Sequence, residues 1–261
     1  MHSSERERLI LDSVADAGFV AYRQLEERLN ASPATIRRDL ARLERLGRLE
    51  RVHGGARSVV IAPTISGPLH LAGTPFDEAL QQHLPQKRAI GRAAAGLCRR
   101  GEGVMIDGGT TTFQMCAHLD GLELQVLTSS LNIVNALLPQ AATRLLVPSG
   151  ALFREQNIIL APAGEESMPR FHAPKLFMGA AAVGAQGIMQ ADIILVANER
   201  RFVDRAEEVI ILVDSSKFIA SSGAVVCGLE EIDTLITDSG IADAQAAMVE
   251  RAGVKLVVVD P

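Results

Sequence analysis

Apolar positions along the first 57 residues recur at helical spacing in three short runs and then alternate. Leu9, Ile10 and Val14 form the inward side of a helix that Ser3 or Ser4 can cap and that runs to about Ala17, where Gly18 ends it. Val20 to Leu29 reads as a short helix with Leu25 and Leu29 inward, followed by a tight turn at Asn30-Ala31. Ser32 is a suitable N-cap, and Pro33 falls at the first helical position, where a missing N–H is harmless. Ile36, Leu40, Leu43 and Leu46 then give one apolar stripe, and Gly47 stops it. Arg48 to Val52 alternates as a strand does, and Gly54-Gly55 closes it, a pattern that fits a two-stranded wing.

From Ser58 to Pro75 periodicity disappears among Pro63, Gly67, Pro68, Gly73 and Pro75, a linker composition. Pro85 to Gly91 opens an Ala-rich helix reaching about Arg100. Beyond it, short apolar strands alternate with helices. Strands are expected at Gly103–Asp107, Leu124–Thr128, Arg144–Val147, Leu176–Met178, Val209–Val213, Ala224–Cys227, Thr234–Thr237 and Val254–Val259, with helices near 132–138, 192–206 and 242–251. Such alternation predicts a mostly parallel sheet covered on both faces, with ligands at the carboxyl ends of its strands. The predicted organisation is therefore a winged helix-turn-helix domain over 1–57, a linker over 58–75 and an α/β domain over 76–261.

The helix after Ser32 presents Thr35, Arg37, Arg38 and Arg42 outside its apolar stripe, mostly in the first two turns, which in a recognition helix meet bases and phosphates. Ser32 at its start, Arg23 on the preceding helix, and Arg51 and His53 on the wing join the set expected to face DNA. Taken alone, the nonamer Ser32–Leu40 also admits a capped surface helix with solvated arginines, as the weaker reading; the preceding helix and the wing favour the helix-turn-helix further.

Net charge, −5 overall, argues against nucleic acid until it is divided. Residues 1–57 hold 11 Lys/Arg and 9 Asp/Glu, a net of +2, and the rest holds 15 and 22, a net of −7. The modest +2 suggests that several copies of the head act together, in a dimer or tetramer, with phosphate contacts summed. Without Trp and with one Tyr, stacking on unpaired bases is an improbable mode, so the expected partner is double-stranded DNA. Cys98, Cys116 and Cys227 have neither metal-site nor disulfide-framework spacing, and no metal or cofactor is expected. A charged start, Met1 to Arg8, and the lack of any apolar run near the ~20 residues that span a bilayer point to a cytoplasmic protein without membrane contact.

Asp107-Gly108-Gly109-Thr110-Thr111-Thr112, at a strand-to-helix junction, is the sharpest chemical signal in the second half. Glycines let backbone N–H groups approach an anion, the helix start is electropositive and the hydroxyls add donors. The same residues also suit a tight βα turn with a Thr cap. Thr128-Ser129 ends the next strand and Ser149-Gly150 a third, so either could add donors or simply cap a helix. At the end of a fourth, Asp214 and Lys217 could hold a polyol and a phosphate, or pair with each other. Gly179 marks backbone passing close to something. Asp192 and Glu199, seven apart, would share a helix face and reach ligand hydroxyls or remain solvated.

Thr35-Ile36-Arg37-Arg38-Asp39-Leu40, Leu43-Glu44, Gly47 and Arg51-Val52-His53-Gly54-Gly55-Ala56 together resemble the N-terminal signature of the DeoR family of bacterial transcriptional regulators. Lys87, Ile90, the Asp107–Thr111 run, Thr128-Ser129-Ser130, Gly179, Asp214–Phe218 and Thr237-Asp238 follow the order of that family's effector domain. Ser149-Gly150 departs from the family's usual Gly-Gly, and Gly187–Asp192 with Glu199 resembles its L-ascorbate-utilisation branch. The resemblance implies a fold like ribose-5-phosphate isomerase and the CoA-transferases, a phosphorylated-sugar or sugar-acid effector, oligomerisation through the second half, and repression of a carbohydrate operon. Two other functions remain on sequence grounds. One is a sugar-phosphate isomerase with a DNA-binding arm, for which no arrangement of Asp107, Asp192 and Asp214 singles out a base. The other, a constitutive architectural DNA binder, leaves the large second domain unexplained.

Overall fold

The structure is a computed structural model describing residues 3–17, 19–29, 31–45, 48–52, 55–57, 75–154, 156–160, 169, 171–220 and 223–261. It contains two compact units, Met1–Pro68 and Leu69–Pro261. All of the expected linker over 58–75 except Pro75, the wing residue His53 and the side chain of Arg23 lie outside what is described.

In the first unit, α1 (Ser3–Ala17), β1 (Phe19–Ala21), α2 (Tyr22–Leu29), α3 (Pro33–Arg45), β2 (Glu50–Val52) and β3 (Gly55–Arg57) surround one small core. Ile10, Val14, Leu25, Leu29, Ile36, Leu40 and Leu43 meet there, the stripes that the apolar periodicity marks. One expectation is corrected. Val20 and Ala21, expected to start the second helix, belong to the strand Phe19–Ala21, and α2 begins at Tyr22. Phe19–Ala21 pairs antiparallel with β3, so the wing is a three-stranded sheet in the order β1-β3-β2. That pairing joins residues about 36 apart, which no local period can register.

In the second unit, the elements are α4 (Phe76–Gln81), α5 (Leu84–Ala95), β4 (Gly103–Ile106), α6 (Thr110–Phe113), β5 (Gln125–Leu127), α7 (Leu131–Leu137), β6 (Arg144–Leu146), β7 (Ala151–Phe153), β8 (Ile158–Leu160), β9 (Lys175–Met178), β10 (Ala182–Gly184), β11 (Gly187–Gln190), α8 (Ile193–Val203), β12 (Glu208–Leu212), β13 (Ala224–Cys227), β14 (Thr234–Asp238), α9 (Asp243–Arg251) and β15 (Lys255–Val259). Seven strands form one all-parallel sheet in the order β15-β14-β12-β9-β4-β5-β6. Its central strands are buried on both faces. Val209 and Ile211 of β12 join the core cluster under α8 and α9, while Ile210 and Leu212 join the cluster under α5 and α7.

The chain runs outward from β4 to β5 and β6, then returns to lay β9, β12, β14 and β15 on the other side. β4 and β9 therefore flank a topological switch point, where an open parallel sheet leaves a crevice at its carboxyl edge. The expected α/β class holds. Local differences are that α5 ends at Ala95 rather than near Arg100, and that β13 pairs antiparallel with β11 in a separate sheet, β10-β11-β13. Gly184 and Gly187 belong to this sheet; Gly187 has φ 111°, and a Cβ there would lie 2.0 Å from the Cys227 carbonyl oxygen. Burial pushes the thiols of Cys98, Cys116 and Cys227 up to about 12, and all three are free.

Candidate functional site

The start of α3 is built as the sequence suggests. The Ser32 carbonyl accepts from the amides of Thr35 and Ile36, and its hydroxyl lies 2.9 Å from the Thr35 hydroxyl. Asp39 faces inward and accepts from Arg6 Nε at 2.9 Å, tying α3 to α1. Arg37 and Arg38 are exposed on the opposite side of the helix. Arg42 is ion-paired with Glu7, and Arg51 Nε donates to Glu44 at 2.7 Å. Those two guanidiniums thus have a carboxylate to leave before they can meet a phosphate.

At the carboxyl edge of the large sheet, a cavity of about 320 Å³ opens at the switch point. Asp107, Gly109, Thr110 and Thr111 line it from the end of β4, Gly179 from β9, and Asp214 and Lys217 from β12. These seven are the sequence-expected residues that the fold brings together. The rest of that set has other work. Gly108 packs against Ser130 and Ile158, so a Cβ there would meet Ser130 Cβ at 3.2 Å. Thr112 donates from its hydroxyl to the Asp107 and Gly109 carbonyls, holding the loop. Thr128 Oγ1 accepts from the Ser130 amide and Ser129 Oγ meets Asn198 Nδ2, so both hydroxyls serve the fold. Ser149 and Gly150 are exposed and outside the cavity lining.

Asp192 is the N-cap of α8, accepting from the Ile194 amide at 2.9 Å, and does not line the cavity. Since it precedes the helix, the seven-residue spacing to Glu199 does not put the two on one face. Glu199 is buried, with Oε1 accepting from Gln190 Nε2 at 2.6 Å and Oε2 without a partner. Gln190 in turn lines the cavity, so Glu199 stands one side chain behind it.

Helix α6 is a single turn, Thr110–Phe113. Its macrodipole is accordingly small, and any anion here would rely on the first-turn amides, which no helix pairs internally, on the two threonine hydroxyls and on lysines. Sequence reasoning placed one lysine, Lys217, in the site and quoted the second only as part of the family's residue order. Lys87 is 3% exposed, lines the cavity from α5 and donates to the Ala79 carbonyl. Burial lowers its pKa, against a smaller opposing pull from Asp214. The signal was its place in the family's residue order; in an Ala-rich helix a lysine reads as solvated, and here it is buried.

The acidic side of the cavity is unusually desolvated. Asp107 is pushed up to about 6 by burial, against the stabilising amides of Gly108 and Gly179. Glu199 is raised well above the ordinary range by burial and then by the charge of Asp107, with the Gln190 bond opposing. Asp214 caps the turn Ser215–Phe218 through Oδ1, and its Oδ2 is buried without a hydrogen bond. Among the described residues no ion pair joins Asp214 to Lys217, so the internal pair weighed from sequence is not formed; Asp214 keeps an acceptor for a ligand.

Residues 6–61 match the DeoR-like helix-turn-helix domain and residues 82–239 the DeoR C terminal sensor domain. The chain belongs to the DeoR family. Among curated relatives, the HTH-type transcriptional regulator UlaR of Shigella dysenteriae is 29% identical over 257 residues, 98% of this chain and 99% of that one. The sorbitol operon regulator SorC of Klebsiella pneumoniae is similar over 93% of this chain and 98% of that one, at 11% identity and TM-score 0.37. Ribose 5-phosphate isomerase A of Methanocaldococcus jannaschii is similar over 51% of this chain and 53% of that one, at 15% identity and TM-score 0.38. As a DeoR-family member the chain is a transcriptional regulator rather than an enzyme. Its helix-turn-helix and sensor domains fit operator DNA and a sugar effector. Among the described residues no helix is long and apolar enough to cross a membrane, and no group of metal-ligating side chains occurs.

Proposed function

We propose that this regulator represses a carbohydrate-utilisation operon and leaves its operator when a phosphorylated sugar or sugar acid fills the cavity at the sheet's carboxyl edge. The observation that carries the reading is the lining itself: Lys87, Lys217, Thr110 and Thr111 suit a phosphate, while Asp107 and the unpaired Asp214 Oδ2 suit sugar hydroxyls. A buried acceptor left unpaired costs about 1–3 kcal/mol, so a sugar lacking one hydroxyl is discriminated against. Release from DNA follows from linkage. An effector that prefers the conformation with misplaced heads lowers operator affinity by its differential affinity, and by no more. The head's +2 charge supports binding as a dimer or tetramer, which sums phosphate contacts over copies.

A panel of phosphorylated sugars and sugar acids tests this by thermal stabilisation and operator release, since a ligand binding only the native state raises its stability. The phosphorylated compound is expected to work and the free sugar to fail. Gly109→Val adds a side chain where even a Cβ would lie 3.2 Å from Thr112 Oγ1. It should blunt the effector response and leave operator binding intact, giving a regulator that cannot be switched off. Equal response to the free sugar, or a wild-type response from Gly109→Val, would sink the reading.

For DNA, Arg37 and Thr35 are assigned to bases and Arg38 and Arg42 chiefly to phosphates. Arg37→Ala should cost about 1–3 kcal/mol of operator affinity and relax specificity at one position. Arg38→Ala should weaken all sequences alike and flatten the salt dependence. Operator titrations at several salt concentrations separate the two, and wild-type binding by both variants would remove α3 from the interface.

A further inference from the structure

One wall of the cavity is made by α4 and its turn into α5, through Ala79, Gln82 and His83. Helix α4 is six residues long. A helix of that length has little stability of its own in water, because the nucleation cost is not recovered over so few bonds. Two attachments hold it. Phe76 stands edge-on to Phe113, with ring centroids 5.6 Å apart and planes at 83°. Lys87 Nζ donates to the Ala79 carbonyl. One anchor, Lys87, lines the cavity directly; the other, Phe113, ends the helical turn α6 whose first residues, Thr110 and Thr111, line it. His83, between α4 and α5, has φ 52° and ψ 37°, a left-handed conformation that persists only where surroundings impose it.

An ammonium carries three donors. Among the described residues Ala79 is the one acceptor bonded to Lys87, which is itself almost wholly buried. A buried cation with donors to spare forms strong charge-assisted bonds to an anion.

We propose that α4 with its turn is a sensing wall: an anionic effector held between Lys87 and the Gly109–Thr111 loop fastens α4 to the sheet edge. Occupancy is then read by the first described helix that follows the DNA-binding unit in the chain. This rests on the cavity being the effector site, and adds which element responds to it.

Hydrogen exchange on the full-length protein, with inorganic phosphate as probe, tests it. Amides over 76–82 report the wall, those over 109–114 report the anion site, and those of β12 and β14 report that the sheet is folded. Without phosphate, Lys87→Met should speed exchange over 76–82 by about tenfold or more, the equivalent of losing a bond to a charged donor, with β12 and β14 unchanged. Phe76→Leu, which cuts the other attachment, should also speed 76–82 while leaving the phosphate response over 109–114. Saturating phosphate should slow exchange over both 76–82 and 109–114 in the wild type, and should fail to slow 76–82 in Lys87→Met. Unchanged exchange over 76–82 in both variants overturns the proposal. So does phosphate protection confined to 109–114, which would leave the anion site standing without its wall. Phosphate that protects neither stretch removes the anion site itself, and the wall with it.

Discussion

Leu40→Ala is expected to abolish operator binding without altering any residue that faces DNA. Leu40 is fully buried on the inward face of α3, in a core that also contains Ile10, Leu25 and Ile36. Truncating a buried leucine to alanine costs about 2–5 kcal/mol, from lost transfer energy and the cavity left behind. A unit of this size buries a smaller fraction of its surface on folding than a larger domain does, and has little stability in reserve. The loss is therefore comparable to everything that holds α3 against α1 and α2. Circular dichroism and limited proteolysis should show the head unfolded or fraying at temperatures where the wild type is intact. Leu40→Met, which keeps the volume, should cost less than about 1.5 kcal/mol and retain binding. Arg37→Ala supplies the contrast, weak binding by a folded head. Wild-type operator affinity in Leu40→Ala would mean that α3 is not held by this core.

The head was legible in the sequence because its determinants are local. Ser32 and Pro33 start α3 within two residues, and Ile36, Leu40 and Leu43 mark its buried side within two turns. What escaped was β1, whose three residues are a strand only because β3 lies beside them. Phe19-Val20-Ala21 is too short to carry a period, and its apolar residues extend the helical pattern that follows.

The second unit divides along the same line. Its sheet was readable because strands buried on both faces leave short continuous apolar runs, such as Val209–Leu212. The loops after β4 and β12 were readable because glycines and hydroxyls at a strand end have a recognisable local form. Residues that enter the cavity by tertiary packing were not. Lys87 is the fourth residue of α5, and its own helix does not show that it is buried. Thr112, Thr128 and Asp192 have the right chemistry at the right strand or helix ends. Their oxygens were already committed to the turns that they stabilise, and a sequence cannot show which of two nearby partners a hydroxyl will take.

The largest pH effect is expected from the carboxyls beside the cavity. Folding raises the pKa of Asp107 from 3.8 to about 6, and raises that of Glu199 well above 4.5. For a carboxyl raised on folding, the native state holds its proton more tightly than the unfolded chain does. The associated stability is complete below the unfolded value and is lost as pH rises through the native one. For Asp107 that window runs from about pH 4 to about pH 6, and the loss is about 3 kcal/mol. Glu199 continues the decline to higher pH, since the ionised Asp107 opposes its charge as well. Glu199→Gln keeps an oxygen for Gln190 and removes the ionisation. It should match the wild type near pH 4.5 and become progressively more stable than it toward pH 8. Denaturant unfolding across that range measures the difference. Parallel curves for wild type and variant would show that Glu199 is ionised in the native protein, and that a cation outside the contacts described here balances it.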